Sequence, residues 1–207
     1  MKWIDLSHPI KHGMMVYPGD PQTDIRFESH AGFILGEMKA SFHTGTHMDA
    51  PRHALASGQS IDQMPLEWMI SNAFVWHAVI QQGVIHTASF QTDYLRNGKE
   101  AKTILVHTGH DQSMNSGDYF TSLPKFDDLW VETMKYYGIR VVGIDTPSFS
   151  SIQESDLFFH QQLFEAGLFL VENLTHLESL PSHVEFLCFP LKIEQGDASW
   201  VRACARF

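Results

Sequence analysis

His43-Thr44-Gly45-Thr46-His47-Met48-Asp49-Ala50-Pro51-Arg52-His53 is the stretch on which the reading of this chain turns. Three histidines and one aspartate fall among small residues, closed by a proline. Imidazole nitrogens and a carboxylate suit a borderline divalent ion such as zinc or manganese. On a helix, His-x-x-x-His would set two ligands one turn apart on one face. Thr44, Gly45 and Thr46 are poor helix formers, however, and Pro51 would break a helix begun at His43. The expectation is a strand end running into a tight turn that aims His43, His47 and Asp49 inward. Gly45 is expected to let the backbone pass where a Cβ would clash. Asp49, two residues after His47, makes a His/His/Asp triad and leaves His53 over as a nearby base. The bland alternative is a histidine-rich surface loop, since the chain carries 13 histidines.

Outward from that stretch, strands and helices alternate, which predicts an α/β (mixed α+β) fold with a mixed sheet core flanked by helices. Trp3–Leu6, Thr23–Glu28 and Gly36–Phe42 read as strands on the N-terminal side, with Gly13–Pro21 as a loop. Pro65–Ile70 reads as a helical turn begun by its proline. Asn72–Ile80 and Thr103–His107 read as apolar strands, with His77 as a packed strand histidine. Thr87–Leu95 reads as a helix with Ser/Thr capping choices. Pro124–Gly138 reads as a helix whose Phe126, Leu129, Trp130, Thr133, Met134 and Tyr137 form a core-packing stripe. Arg140–Ile144 is the next strand, and Leu157–Ala166 a helix capped by Ser155-Asp156 and closed by Gly167.

Leu168–Val171 then delivers Glu172 at its end, where an unpaired buried carboxylate would be costly. His160 lies on the apolar face of its helix, as a satisfied core histidine or as a partner of Glu172. Thr108-Gly109-His110-Asp111 follows a strand's C-terminal end, where sites tend to lie in layered α/β folds. His107, His110 and Asp111 are therefore expected to line the pocket or to stand behind it. Tyr17, at the mouth of a turn, is either a packing aromatic or a ring against substrate. Leu177–Leu180 reads as a helical turn flanked by surface His176 and His183, and Val184–Ile193 and Trp200–Phe207 as closing strands. The whole of 1–207 reads as one domain, of a length that buries a real core.

His43 to His53 matches the pattern H-x-G-T-H-x-D-x-P-x-H and so resembles the cyclase family, which includes metal-dependent arylformamidases (kynurenine formamidases) and isatin hydrolases. The resemblance continues through Asp5-Leu6-Ser7, Tyr17-Pro18-Gly19-Asp20, Gly143-Ile144-Asp145-Thr146-Pro147-Ser148, His160 and Glu172-Asn173-Leu174, in that order. It implies a swivelling β/β/α domain, forming homodimers or tetramers, with one or two divalent ions per chain, zinc first and manganese second. It further implies that His43, His47 and Asp49 hold one ion and that a bridging Asp49 with His160 and Glu172 holds another. The implied reaction is hydrolysis of an aryl formamide such as N-formylkynurenine to formate and the aryl amine, through metal-activated water. His53 is its expected general acid and base. Tyr17, with Phe33 or Trp68, is the expected aromatic wall of the substrate site.

Composition narrows the partners. A formal charge of −10, with no basic cluster, argues against nucleic acid. No uncharged apolar run is long enough to span a bilayer, and Met1-Lys2-Trp3-Ile4-Asp5 does not read as a signal peptide. Cys188 and Cys204 are read as reduced thiols in a cytoplasmic protein. Other chemistry at the same residues stays open: hydrolysis of an isatin-like cyclic amide, a lactone or an ester. So does a metal protein without turnover, regulatory or structural, in which His53 would be a ligand and the coordination shell closed.

Overall fold

Period-two alternation in buried strands writes the centre of this molecule. The computed structural model describes residues 1–98, 100–150 and 157–207. In chain order its strands are β1 (Trp3–Asp5), β2 (Asp24–His30), β3 (Phe33–Lys39), β4 (His47–Asp49), β5 (Ile70–His77), β6 (Ile80–Gln81) and β7 (Val84–Ile85). They continue as β8 (Thr103–His107), β9 (Lys125–Phe126), β10 (Val141–Ile144), β11 (Phe169–Glu172), β12 (His183–Leu187), β13 (Ala198–Trp200) and β14 (Cys204–Arg206). The helices are α1 (Thr87–Asp93), α2 (Trp130–Tyr137) and α3 (Phe158–Glu165). Nine strands form one mixed sheet in the order β1-β14-β12-β5-β8-β10-β11-β4-β13. Its centre, β5-β8-β10-β11, is parallel, and the strands on either side are antiparallel.

Both faces of the parallel strands are buried, as their near-continuous apolar sequences require. Phe74, Trp76, Ile104, Val106, Val142, Ile144 and Leu170 face the helices and pack with Phe90, Trp130, Met134 and Leu163. Their neighbours Ala73, Val75, Leu105, Val141, Phe169 and Val171 face the other way, into a second cluster with Leu6, Met48, Leu174 and Phe186. That second cluster is enclosed because the sheet curls. Ser7, just after edge strand β1, bridges Leu174, just after β11, although five strands lie between β1 and β11 in the sheet order. Gly143 leaves room for two core side chains: a Cβ there would stand 2.7 Å from Leu174 Cδ1 and 2.8 Å from Leu105 Cδ2.

Several expectations need correction. Pro124–Gly138 is helical only from Trp130; Lys125–Phe126 pairs in parallel with β7 instead, and its proline keeps the start extended. Pro65 precedes its helical turn, and α1 takes no Ser/Thr side-chain cap: the Thr87 hydroxyl bonds Asp127. The closing segments are β12, β13 and β14, shorter than anticipated. His77 is exposed, with its ring against that of His107, and not packed in the core. The cap proposed at Ser155-Asp156 lies outside the described residues. Among the described residues no helix is long and apolar enough to cross a membrane. Cys188 and Cys204 are free thiols.

Candidate metal centre

The histidine motif is a turn followed by a strand, the reverse of the expected order. Residues 42–46 turn, and β4 begins at His47. Gly45 serves by conformation and not by clearance: its φ is +66°, and a Cβ would meet only Met14 and Ile10 at ordinary contact distance. The turn brings the Gly45 carbonyl to 2.8 Å from His47 Nδ1, which donates to it and leaves Nε2 facing inward.

Strand geometry then collects the carboxylates. His47 and Asp49, two apart in β4, share a face, while Met48 points into the core. The antiparallel partner β11 sets Glu172 directly opposite His47. His47 Nε2 lies 3.2 Å from Asp49 Oδ1 and 3.4 Å from Glu172 Oε2. These distances are short, yet His47 Nε2 and Asp49 Oδ1, both buried, have no hydrogen-bond partner of acceptable geometry. His43 Nδ1 reaches the same Asp49 Oδ1 at 2.9 Å. From α3, His160 Nε2 meets Glu172 Oε1 at 3.1 Å, and Phe149 N donates to that oxygen. Ser150 Oγ lies 3.2 Å from His160 Nδ1.

All five residues expected as metal ligands are thus brought together, and two triads have ligand atoms within 4.8 Å of one another. They are His43, Asp49 and His53, and His47, Asp49 and Glu172. Asp49 belongs to both, whereas His160 stands against Glu172 without completing a triad among the described residues. His53, on the turn Pro51–His53, packs its ring 4.2 Å from that of His43. It is therefore within ligand reach as well as within reach of a reacting group.

The electrostatics are those of a site that exchanges protons for a cation. Burial alone would pull the His43 imidazole down, but Asp49 and Asp197 hold it at about 11. Burial likewise opposes the charge on His47, and Asp49 with Glu172 raises it to about 9. Against its burial, Asp49 is kept well below the usual carboxylate range by His43 and His47. Glu172 is pushed up by burial and by Asp49, but His160 and His47 turn the balance downward. Buried nitrogens and carboxylate oxygens that converge without hydrogen bonds, in a His/Asp/Glu set, fit a divalent ion.

The cluster forms the floor of a cavity of about 350 Å³. Tyr17 lines it, edge-on to Phe120 at 5.6 Å between ring centroids. Phe33 lies exposed on the β2–β3 hairpin and Trp68 packs on Phe169 in the core, so neither joins that wall. His107, His110 and Asp111 do not line the cavity. His107 faces His77, while His110 bonds the Tyr119 carbonyl and Asp111 accepts from Thr175, both at 2.8 Å. His110 thus stands behind a wall residue.

Sequence reasoning missed Asp197, whose Oδ2 lies 3.0 Å from His43 Nε2 and 3.5 Å from His53 Nδ1. It reaches the site because β13 pairs with β4, setting Ala198 opposite Asp49. Tyr119, Phe120, Met114 and Asn173 were also missed as cavity-lining residues. A Gly-Asp turn before an apolar segment was the one local signal for Asp197.

A family described as putative cyclase matches residues 4–151. The chain belongs to the cyclase family. A kynurenine formamidase of Salinibacter ruber is 30% identical over 100% of this chain and 98% of that protein. One of Geobacillus thermodenitrificans is 30% identical over 99% and 97%. Among solved structures, isatin hydrolase A from Ralstonia solanacearum superposes with a TM-score of 0.82 at 20% identity, covering 99% of this chain and 91% of that one. A predicted metal-dependent hydrolase from Bacillus stearothermophilus gives 0.80 at 24%, covering 99% and 97%. At these identities the superpositions establish a shared fold, a large curled mixed sheet with few helices.

Proposed function

We propose that this cyclase-family hydrolase cleaves the formyl C–N bond of an aryl formamide of the N-formylkynurenine type, giving formate and the aryl amine. The observation that carries the reading is the unbonded, buried convergence of His47 Nε2 and Asp49 Oδ1 under an aromatic-walled cavity. His43, His47, Asp49, His160 and Glu172 hold a divalent cation, zinc or manganese, as one or two ions. When bound, such an ion supplies Lewis acidity to a carbonyl and to water. Tyr17 and Phe120 offer an edge-to-face pair against which the aryl ring packs. His53 turns Nδ1 towards Asp197 and keeps Nε2 for the reaction. That nitrogen takes a proton as the water oxygen bonds to the formyl carbon, and returns it to the departing amine nitrogen as the C–N bond breaks.

The test is formate release from N-formylkynurenine by metal-stripped protein, with zinc, manganese or nothing added back. Metal-dependent formate is the expected result. No formate with any ion, while the ions still bind, would overturn the formamide assignment and move the reading to a cyclic aryl amide. Equal formate without metal would overturn the cofactor.

The working unit is proposed to be a cytoplasmic homodimer of single domains spanning 1–207. The free thiols support the compartment, and the main sheet running from Trp3 to Arg206 supports the single domain. The β2–β3 hairpin supports the dimer. Every residue of β3 is exposed, and Phe27, Phe33, Ile34, Leu35 and Met38 present apolar surface that a two-stranded ribbon cannot bury alone. Ile34→Glu is expected to yield monomers by light scattering.

A further inference from the structure

We propose that Asn173 reads the substrate, its side-chain amide N–H groups donating to a carbonyl oxygen on the ring carbon next to the one bearing the scissile nitrogen. Tyr119 is the positioning residue that sets the orientation of that amide. The proposal deepens the aryl-amide reading and rests on it, since N-formylkynurenine carries such an ortho carbonyl.

The backbone of Asn173 is clamped by both other segments of the site. Its N–H donates to the Thr146 carbonyl at 2.8 Å, and its carbonyl accepts from Thr46 Oγ1 at 2.6 Å. It holds a φ of +57°, a conformation asparagine tolerates better than most residues with a side chain. The residue is buried, 5% exposed, and lines the cavity. Tyr119 Oη donates to Asn173 Oδ1 at 2.8 Å, and the phenol makes no other hydrogen bond among the described residues.

That phenol keeps its proton. Burial, with the negative charges of Asp111, Asp145 and Glu172 around it, raises its pKa. The phenol donates to Oδ1, so the amide oxygen faces Tyr119 and the amide nitrogen faces away. The Tyr119 ring is itself fixed, stacked on His110 at 5.1 Å while His110 Nε2 bonds its carbonyl. Asn173 Nδ2 then has no hydrogen-bond partner among the described residues, a donor in the cavity lining that a ligand oxygen would satisfy.

Position decides which oxygen. Asn173 follows Glu172 of the carboxylate cluster in the chain, and its anchor Tyr119 abuts Phe120 of the aromatic wall at 5.2 Å. The amide thus belongs to the same cavity lining as the aromatic wall and the carboxylate cluster. A substituent ortho to the scissile nitrogen stays beside the cluster to which Glu172, the chain neighbour of Asn173, belongs; a para substituent is held a ring's width away.

The test compares two positional isomers, 2′-aminoacetophenone and 4′-aminoacetophenone, by calorimetric titration of the zinc-loaded protein. Wild type is expected to bind the ortho isomer about tenfold more tightly, the worth of one good hydrogen bond. Asn173→Gly keeps the backbone conformation accessible and removes the amide, and is expected to bring the ratio close to one. Tyr119→Phe keeps the ring, frees the amide to turn, and is expected to lower the ratio in the same direction. No ortho preference in wild type, or a preference intact in both variants, would overturn the proposal. Formate release separates this from the reaction itself. An ortho preference without formate would support Asn173 and remove the formamide chemistry; formate without an ortho preference would remove the role of Asn173 alone.

Discussion

Two groups of histidines sit at the C-terminal edge of the parallel strands, and they differ in the carboxylates that face them. His77 and His107 end β5 and β8, with their Nδ1 atoms 2.9 Å apart. The carboxylate nearest His107, Asp145, is 3.9 Å away, with its oxygens already accepting from Thr108 and Gly109. Burial and the neighbouring His107 lower the His77 imidazole. Around Glu172, at the end of β11, the histidines face Asp49, Glu172 and Asp197, and His43 is raised to about 11. Paired imidazoles are common to both groups; unspent carboxylates belong to one. The second ingredient adds negative charge and oxygen ligands, which favour a divalent ion among the imidazoles.

The contrast breaks first at its strongest point. Asp49→Asn is expected to abolish metal binding and to cost about 5 kcal/mol of transition-state stabilisation, roughly 10³–10⁴ in kcat/KM. His107→Ala, in the other group, should leave both within twofold. Comparable losses in the two variants, by elemental analysis and formate assay, would erase the distinction.

Next comes the division of labour within the working group. His53→Ala should retain the metal and lose about 10²–10⁴ in kcat, the worth of a general acid and base. Loss of the metal along with activity would make His53 a ligand, an arrangement its proximity to His43 and Asp49 also permits. Asp197→Asn keeps shape and removes charge behind His43 and His53. It should weaken zinc about tenfold in chelator competition, the usual worth of a partner that orients a ligand imidazole. Unchanged affinity would confine Asp197 to His53.

The smallest effect is in protons. In metal-free protein His43 and His47 hold theirs to about 11 and about 9, above the ordinary imidazole value of 6.5. The folded form then binds more protons than the unfolded one. The stability these groups contribute is complete below about pH 6.5 and is lost as pH rises through about 9 and then about 11. Zinc entering at pH 7.5 should therefore release about two protons, read by calorimetry in buffers of different ionisation heat. Release of none would contradict the pairing with Asp49.

Much of this was legible in the chain. The His43–His53 segment announced itself because its ligand types lie close together and its threonines, glycine and proline refuse a helix. Thr103–His107 was readable residue for residue, as an apolar, β-branched run bounded by turns. His160 and Glu172 were legible through the family pattern; by residue type alone His160 looked like a core histidine. Lys125–Phe126 misled because an aromatic at helical spacing from Trp130 also suits a strand, and pairing with β7 settled which. Strand β13 was read only at Trp200, since three residues, Ala198-Ser199-Trp200, are too few to carry a period.

What the sequence determined by itself was the ligand chemistry, the alternating strands with both faces apolar, and membership of a family, all properties of local pattern. Which carboxylates answer which imidazoles was decided only by tertiary structure. Antiparallel pairing set Glu172 opposite His47, and a short edge strand carried Asp197 to His43 and His53. The orientation of the Asn173 amide, in the same way, depends on a phenol more than fifty residues away in the chain. Register and curl place such groups within 3–4 Å of one another, and no local pattern encodes a distance between residues so far apart.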